Sequence, residues 1–130
     1  MKPGELRVVI VDDNKDAAAL LGRLFKLAGF SVVGQIFDAT QALPCIQEQK
    51  PHVALLDISM PILDGCTIAK RIRERIVPSP LLIAVSGFGS AQDKQHAIEA
   101  GFGYHLTKPV DWQQIEALLA QHFHIQKAID

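Results

Sequence analysis

The sequence predicts an α/β protein with a doubly wound, five-stranded parallel sheet flanked by five helices. Five short apolar runs alternate with amphipathic segments along the 130 residues. This alternation is typical of parallel strands joined by right-handed helical crossovers. No internal repeat, low-complexity tract or linker interrupts the pattern, so residues 1–130 are expected to form a single domain with its core over about residues 6–123.

The apolar runs give the five predicted strands. The first, third and fourth runs are apolar on both strand faces, as expected of strands that helices cover on both sides. In chain order the runs are LRVVIV (6–11), SVVGQIF (31–37), HVALL (52–56), LLIAV (81–85) and GYHLT (103–107).

The first and third helices are predicted from apolar residues at helical spacing. In the first helix this spacing holds over residues 17–28, and Gly29 follows as a C-terminal stop. In the third helix it holds over residues 68–76, and Pro78 with Pro80 ends the helix.

Polar capping residues mark the start of the fourth and fifth helices. Ser90 with Asp93 resembles a capping box that opens the fourth helix, and Gly101 closes that helix. Asp111 is suited to cap the fifth helix. The apolar face of the fifth helix is expected to consist of Ile115, Leu118, Leu119 and Phe123.

The second helix has the weakest signal. Asp38 is suited to cap it, but Pro44 lies inside its apolar pattern. A proline inside a helix removes a hydrogen bond and clashes with the preceding turn, so the sequence predicts either a kink or a late helix start. The apolar face would consist of Ala39, Ala42, Leu43 and Ile46.

Composition excludes several classes of function. The formal net charge is -1, and the densest basic stretch, KRIRERI at 70–76, is spaced so that its isoleucines share one helix face. A solvated face is the expected reading of that stretch, so direct nucleic-acid binding is not supported. Cys45 and Cys66 lack metal or redox spacing and are expected to be reduced packing residues. The N-terminus lacks an apolar signal region and no apolar stretch reaches the roughly 18 residues of a membrane span, so the chain is expected to be cytoplasmic.

Polar residues follow four of the predicted strands. In doubly wound sheets, ligands bind outside the carboxyl ends of the strands. Asp12 and Asp13 follow the first strand, Asp57 the third, Ser86 the fourth and Lys108 the fifth. Such a set, with three carboxylates, a hydroxyl and an ammonium at one edge of a sheet, is improbable by accident. These five residues therefore form the candidate site.

These residue types suit phosphoryl transfer. The first and third strands are neighbours in a sheet of this winding, so their three carboxylates meet and need a hard cation such as Mg²⁺. A carboxylate beside that metal can act as a nucleophile toward phosphorus. Lys108 and Ser86 would supply positive charge and a hydrogen-bond donor to the phosphoryl oxygens.

Four short motifs occur in order along the chain: the pair Asp12-Asp13, LLDISMPILDG around Asp57, AVSG with Ser86, and LTKP with Lys108 and Pro109. With these motifs in this order, the chain resembles the receiver domain of two-component response regulators, over about residues 6–123. The resemblance implies a flavodoxin-like three-layer sandwich with strand order 2-1-3-4-5.

The resemblance implies a metal-dependent phosphoacceptor. Asp57 would receive the phosphoryl group from a phosphohistidine on a histidine kinase or a histidine phosphotransfer protein. Asp13 is implied as a direct Mg²⁺ ligand, Asp12 as one that acts partly through water, and the backbone carbonyl of Ser59 as a third contact. The chain would assist its own phosphotransfer and dephosphorylation and would not otherwise be an enzyme.

The remaining family residues concern signal output. Lys108 would bind the phosphoryl group, Ser86 would move toward it, and the Lys108-Pro109 bond is similar to one that is cis in the family. The output partner would be a protein bound to the face of helix four, strand five and helix five, near Ala97, His105 and Trp112. The domain would act alone or as part of a longer protein such as a hybrid histidine kinase.

His105 is a departure from the family pattern. The family often has Tyr or Phe at this position, and the neighbouring Tyr104 points to the opposite sheet face because strand side chains alternate. His105 is expected to be either a switch residue of altered polarity or a partly buried packing histidine. The remaining histidines, including His122 and His124, are assigned to the surface.

The loop after Ser86 and the residue Pro109 are expected to take part in signal output, together with His105. Gly87 and Phe88 belong to this loop. Phe88 is expected either to lean over the phosphorylation site and restrict the attacking water, or to be a loop aromatic that covers a helix end.

Two alternative functions remain open. One is a receiver-like interaction domain that works without phosphorylation, although no key residue is missing here. The other is a phosphatase of the haloacid dehalogenase type, which is similar in using an aspartate nucleophile and Mg²⁺. That family has DxDx[TV] after its first strand, whereas this chain has Asp12-Asp13-Asn14 and no cap segment. A nucleotide-binding function is not supported, because neither G-x-G-x-x-G nor a P-loop follows a strand.

Overall fold

The computed structural model describes residues 1–59, 64–87 and 89–125. At its centre is a five-stranded parallel sheet in the order β2-β1-β3-β4-β5, which confirms the predicted fold class and strand order. The strands are β1 (Arg7–Val11), β2 (Ser31–Ile36), β3 (Val53–Asp57), β4 (Leu81–Ser86) and β5 (Tyr104–Thr107).

Helices cover both faces of the sheet and divide the core into two layers. Buried residues of α2, α3 and α4 pack on one face, and buried residues of α1 and α5 pack on the other. The helices are α1 (Lys15–Leu27), α2 (Ala42–Gln49), α3 (Gly65–Arg75), α4 (Ala91–Ala100) and α5 (Trp112–Phe123).

The central strands are buried on both faces, as their apolar runs predict. All five residues of β3 are buried, and in β1 only Arg7 is partly exposed. Alternation sends Val9 and Val11 into one layer of the core and Val8 and Ile10 into the other. The carboxyl ends of β1 and β3 are therefore held from both sides.

The second helix starts late. A turn of 3-10 helix covers Ala39–Gln41, and α2 begins at Ala42. Pro44 thus lies in the first turn of α2, where a backbone N–H would have no partner within the helix. Asp38 caps the 3-10 turn by accepting a hydrogen bond from the N–H of Thr40 at 2.9 Å. Of the two predicted alternatives, the late start is correct.

The other helix boundaries follow the sequence signals with one difference. Ser90 accepts a hydrogen bond from the N–H of Asp93 at 3.0 Å, and Asp111 accepts one from Gln113 at 2.9 Å. The difference is at the end of α3, which stops at Arg75, so that Ile76 has extended backbone angles. The extended Ile76 still packs against the core, which explains why it fits the helical pattern.

The basic stretch of α3 is a solvated face, as predicted. Ile72 is fully buried, whereas Lys70, Arg71, Arg73 and Arg75 are exposed. Both cysteines lie on helices as half-buried free thiols, and burial raises the pKa of each. No helix of the described ranges is long and apolar enough to cross a membrane.

His52 is not a surface histidine, in contrast to the prediction. His96, His122 and His124 are exposed, but His52 is half-buried at the start of β3 beside β1. Its Nδ1 accepts a hydrogen bond from the backbone N–H of Arg7 at 3.0 Å. Burial, with a smaller contribution from the Arg7 charge, lowers the pKa of His52 below its ordinary value of 6.5. The neutral imidazole therefore forms part of the β1–β3 junction.

The lowered pKa makes His52 a source of acid sensitivity. Its contribution to stability is complete above the ordinary pKa of 6.5 and is lost as the pH falls toward the folded-state value, because the unfolded chain binds the proton first. The variant His52→Asn keeps an acceptor, its amide oxygen, near the position of Nδ1 and does not titrate. We expect a smaller loss of stability in this variant than in the wild type between about pH 7.5 and about pH 5.5, measured by urea unfolding.

The matched control is the exposed histidine variant His96→Asn, which should keep the acid sensitivity of the wild type. An identical loss of stability in His52→Asn and the wild type would contradict the assignment.

Candidate functional site

Three aspartates meet at the carboxyl ends of β1 and β3. One ligand oxygen from each of Asp12, Asp13 and Asp57 lies within 4.8 Å of the others. Asp12 and Asp57 are only 4% and 5% exposed, whereas Asp13 is exposed to solvent. Their proximity follows from the pairing of β1 with β3, which brings the two strand ends side by side. The sequence prediction that these carboxylates come together is confirmed.

Lys108 joins the two buried aspartates. Its Nζ lies 3.1 Å from Oδ2 of Asp12 and 3.1 Å from Oδ2 of Asp57. Its backbone N–H donates to the carbonyl oxygen of Ser86 at 2.8 Å, which fixes the chain just after β5. The Lys108–Pro109 peptide bond is cis, as expected. Lys108 follows β5, so its side chain reaches past the end of β4 to the two carboxylates.

Each buried aspartate divides its two oxygens between different partners. Oδ1 of Asp12 accepts a hydrogen bond from the N–H of Asn14 at 2.9 Å, and Oδ1 of Asp57 accepts one from the N–H of Ser59 at 2.8 Å. In both residues Oδ2 faces Lys108. The local loop orients each carboxylate, so the acidic cluster does not depend on Lys108 alone for its geometry.

The cluster keeps an excess of negative charge. Three carboxylates and one ammonium give a formal sum of -2 when all are ionised. Burial raises the pKa of Asp12, and the charge of Asp57 adds to this effect, whereas Asn14 and Lys108 oppose it. Burial alone would lower the pKa of Lys108, but its hydrogen bonds to Asp57 and Asp12 outweigh burial and raise it. A cation with oxygen ligands is the chemical species that this cluster is suited to hold.

Gly65 packs closely against the backbone of Asp57, the phosphoacceptor candidate. This contact was not predicted from the sequence. A Cβ atom at Gly65 would lie 2.6 Å from the carbonyl oxygen of Asp57 and 2.9 Å from Cα of Ile58. Real Cβ atoms do not approach backbone so closely, so α3 can start here only with glycine. Asp64 caps this helix by accepting a hydrogen bond from the N–H of Thr67 at 2.8 Å. The dipeptide Asp64-Gly65 is the signal from which this contact could have been expected.

Ser86 is fully buried and bonded to His105. The Ser86 Oγ lies 2.8 Å from Nε2 of His105, and the N–H of Gly89 donates to the same oxygen at 3.3 Å. Register explains the contact. Ala84 pairs with His105, so the side chain of Ser86, two residues further along β4, projects on the same face of the sheet as the imidazole. Sequence reasoning did not identify this hydrogen bond.

The imidazole of His105 and the ring of Tyr104 lie on opposite faces, as predicted. Tyr104 packs with the α1 and α5 layer, and its ring centroid lies 6.0 Å from that of His122. His105 is half-buried on the α4 side. Burial lowers the pKa of His105, the charge of Lys94 lowers it further, and Asp93 partly opposes both effects.

The residues expected at the output surface contribute to packing to different degrees. Ala97 is only 1% exposed on the inner face of α4, and the half-buried Trp112 turns its ring toward α1, with its centroid 4.8 Å from that of Phe25. A surface groove runs between α4 and β5. Its lining includes Ala97 and His105, together with Lys94, Ile98 and Tyr104.

The other predicted site residues lie around this centre. Gly87 and Pro109 are exposed at the ends of β4 and β5, and Ser59 is exposed after β3. Phe88, for which two roles were considered, lies outside the described residues.

Comparison with known proteins identifies the family. The family model described as "Response regulator receiver domain" matches residues 8–120. The transcriptional regulatory protein PrrA of Mycobacterium bovis is 36% identical over 103 residues, which cover 79% of this chain and 43% of that protein. The chain thus spans less than half the length of this relative. An uncharacterised 14.6 kDa protein of Leptolyngbya boryana is 30% identical over 119 residues, covering 91% of this chain and 90% of that protein.

Solved structures agree with the family model. The receiver domain of AraT, a response regulator from Geobacillus stearothermophilus, is 28% identical with a TM-score of 0.78, and covers 89% of this chain and 91% of that chain. A signal receiver domain from Colwellia psychrerythraea has a TM-score of 0.83 at 21% identity, covering 92% and 98%, and supports the fold alone. The chain belongs to the family of response regulator receiver domains of two-component signalling.

Proposed function

We propose that this domain accepts a phosphoryl group on Asp57 from the phosphohistidine of a histidine kinase or a histidine phosphotransfer protein. The observation that carries the proposal is the position of Asp57, a buried carboxylate within reach of two further aspartates and bonded to Lys108. A cavity of about 220 Å³ lies beside it, lined by Asp12, Asp57 and Lys108 together with apolar residues, several of them on α1.

The transfer breaks the N–P bond of phosphohistidine and forms a bond between phosphorus and a carboxylate oxygen of Asp57. The imidazole leaves with its electron pair and takes a proton from solvent. Ser59 holds Oδ1 of Asp57, and Lys108 places positive charge beside Oδ2. Positive charge near the transferring phosphoryl oxygens is the main requirement of this reaction. Ser86 offers a hydroxyl to the same oxygens.

We further propose Mg²⁺ as the cofactor. When bound, it supplies positive charge to the phosphoryl oxygens. The chain would hold it through Asp13, Asp12 and Asp57, with the backbone carbonyl of Ser59 as a further ligand. The support is an oxygen-only ligand set, the formal excess of negative charge and the exposure of Asp13, which leaves room for the waters that Mg²⁺ retains.

The proposed output is a protein contact at the groove between α4 and β5. Ile98, on the rim of this groove, is 66% exposed, and its neighbour Lys94 is also exposed. The proposed partner is a protein rather than nucleic acid, because the residues that line this groove include one charged side chain, Lys94, among apolar and aromatic ones. PrrA is described as a transcriptional regulator, and a receiver of that class works within a longer protein.

Two alternatives are less well supported. A phosphorylation-independent interaction domain has no need of a lysine held 3.1 Å from two buried aspartates. A phosphatase of the haloacid dehalogenase type disagrees with the family assignment, and the chain would turn over no external phosphomonoester. We therefore propose a phosphoacceptor that is not otherwise an enzyme.

Phosphorylation should depend on Asp57. Incubation with a small acyl phosphate donor and Mg²⁺ should increase the intact mass by one phosphoryl group, and chelation of the metal should abolish the gain. Asp57→Asn should show no gain, because the amide cannot act as the nucleophile although it can still accept the hydrogen bond from Ser59.

Asp38→Asn is the matched control, since Asp38 is an exposed aspartate that caps a 3-10 turn, and it should be phosphorylated like the wild type. Absence of any gain in the wild type with several donors would favour the interaction-only function.

Binding of Mg²⁺ should depend on Asp13. Because Asp13 is the exposed carboxylate of the cluster, Asp13→Asn should weaken Mg²⁺ binding by at least about tenfold in isothermal titration calorimetry. Asp16→Asn, an exposed acidic position in the first turn of α1, controls for loss of charge and should change the affinity by less than about twofold. Equal effects of the two variants would contradict the ligand assignment.

The acidic cluster should lower stability in the absence of metal. The raised pKa of Asp12 means that folding disfavours its ionised form, so its contribution to stability falls as pH rises above the ordinary value of 3.8. Asp12→Asn keeps an acceptor for Asn14 and leaves Lys108 paired with Asp57. We expect a gain of about 1 kcal/mol at neutral pH without divalent metal, measured by urea unfolding.

Asp13→Asn, at the exposed neighbour, should change stability less. A loss of stability in Asp12→Asn would show instead that the ion pair with Lys108 outweighs the burial of its charge.

A further inference from the structure

We infer that His105 is a positioning residue for Ser86: its Nε2–H donates to the Ser86 hydroxyl oxygen and so leaves the hydroxyl proton free for a phosphoryl oxygen on Asp57. The inference rests on the proposed function, because it describes how Ser86 is prepared for the phosphoryl group. Of the two roles expected for His105, it favours a polar role over one in packing alone.

The contact is direct and sheltered from water. Ser86 has no exposed surface, and its Oγ lies 2.8 Å from Nε2 of His105. The pairing of Ala84 with His105 fixes the register of the two strands, so the contact does not depend on a loop. A hydrogen bond between two regular strands holds its members more firmly than one on an exposed segment would.

The protonation state of the ring follows from its other nitrogen. Nδ1 of His105 is buried and has no hydrogen-bond partner among the residues that the structure describes. A proton on Nδ1 would make it an orphaned buried donor, which is rarer in proteins than an unpaired acceptor. The proton therefore belongs on Nε2, and the imidazole is the donor to Ser86.

This arrangement determines what Ser86 can still do. Its oxygen accepts from His105 and from the N–H of Gly89 at 3.3 Å, which uses both lone pairs. The hydroxyl proton then remains available, and the oxygens of a phosphoryl group are acceptors. With the opposite tautomer, Ser86 would donate its proton to the ring and would have to break that bond first.

The surroundings of the ring favour its neutral form. Burial lowers the pKa of His105, the positive charge of Lys94 on α4 lowers it further, and Asp93 on the same helix only partly compensates. A packing role would require only the volume of the ring, so phenylalanine would replace it without effect. A positioning role requires a donor at the location of Nε2.

Ring nitrogen signals give the first test. Long-range ¹H–¹⁵N spectra of the unphosphorylated protein distinguish a protonated Nε2 from a protonated Nδ1, and the His105 signals are assigned by their loss in His105→Gln. We expect the Nε2–H tautomer at neutral pH. An Nδ1–H tautomer would overturn the inference.

A double-mutant cycle gives the second test, with the rate of phosphorylation by a small acyl phosphate as readout. His105→Phe removes the donor and should slow the reaction about three- to tenfold, the worth of one hydrogen bond. His105→Gln places an amide N–H near Nε2 and should restore the rate to within about twofold of the wild type. In the Ser86→Ala background, His105→Phe should cause no further loss, because its effect passes through Ser86.

The outcomes separate this inference from the proposed function. If the wild type is not phosphorylated, both fail. If the wild type is phosphorylated but His105→Phe reacts at the same rate, or slows the reaction equally in the Ser86→Ala background, only the inference fails. Thermal melts of each variant establish that it is folded, and His105→Gln with the tautomer spectra decides the matter if His105→Phe does not fold.

Discussion

The functional end of this domain depends on one electrostatic balance, that between the three clustered aspartates and the ammonium of Lys108. Two of the carboxylates are almost fully buried, where like charges repel most strongly. Lys108 offsets part of that repulsion by bonding to both of them. The net charge of the cluster remains negative, and a cation bound at this edge of the sheet would neutralise it.

The scaffold divides naturally into a fixed part and an adjustable part. The strands that carry Asp12 and Asp57, β1 and β3, are buried on both faces, and each buried carboxylate is also held by an N–H of its own loop. By contrast, β5 is an edge strand and only Leu106 of it is buried. Rearrangement costs least where fewest contacts are lost, so β5 with His105 is better suited to adjust than the strands that hold the acidic cluster.

Much of this organisation could be predicted from the sequence, because hydrophobic periodicity defines the strands and the strand-end rule then brings Asp12, Asp57 and Lys108 together. Other features depend on information that periodicity lacks. Pro44 is compatible with either a kink or a first helical turn, so only the structure distinguishes them. The helical pattern likewise does not say which way the ring of Trp112 turns. The Ser86–His105 bond required the pairing of β4 with β5, which a single sequence does not supply.

The Ser86–His105 bond also limits how strongly a change at Ser86 can affect the groove between α4 and β5. His105 touches Ser86 with one edge of its ring and lines the groove between α4 and β5 with the rest of its side chain. A single neutral hydrogen bond is worth about 0.5–1.5 kcal/mol, which shifts a two-state population by only about two- to tenfold. A larger change in the groove therefore requires further contacts that differ between the two states, and the attraction of Lys108 to a phosphoryl group beside Asp57 is the strongest available on these residues. Under the proposed function, His105 would adjust the rearrangement, whereas the charge balance at the strand ends would drive it.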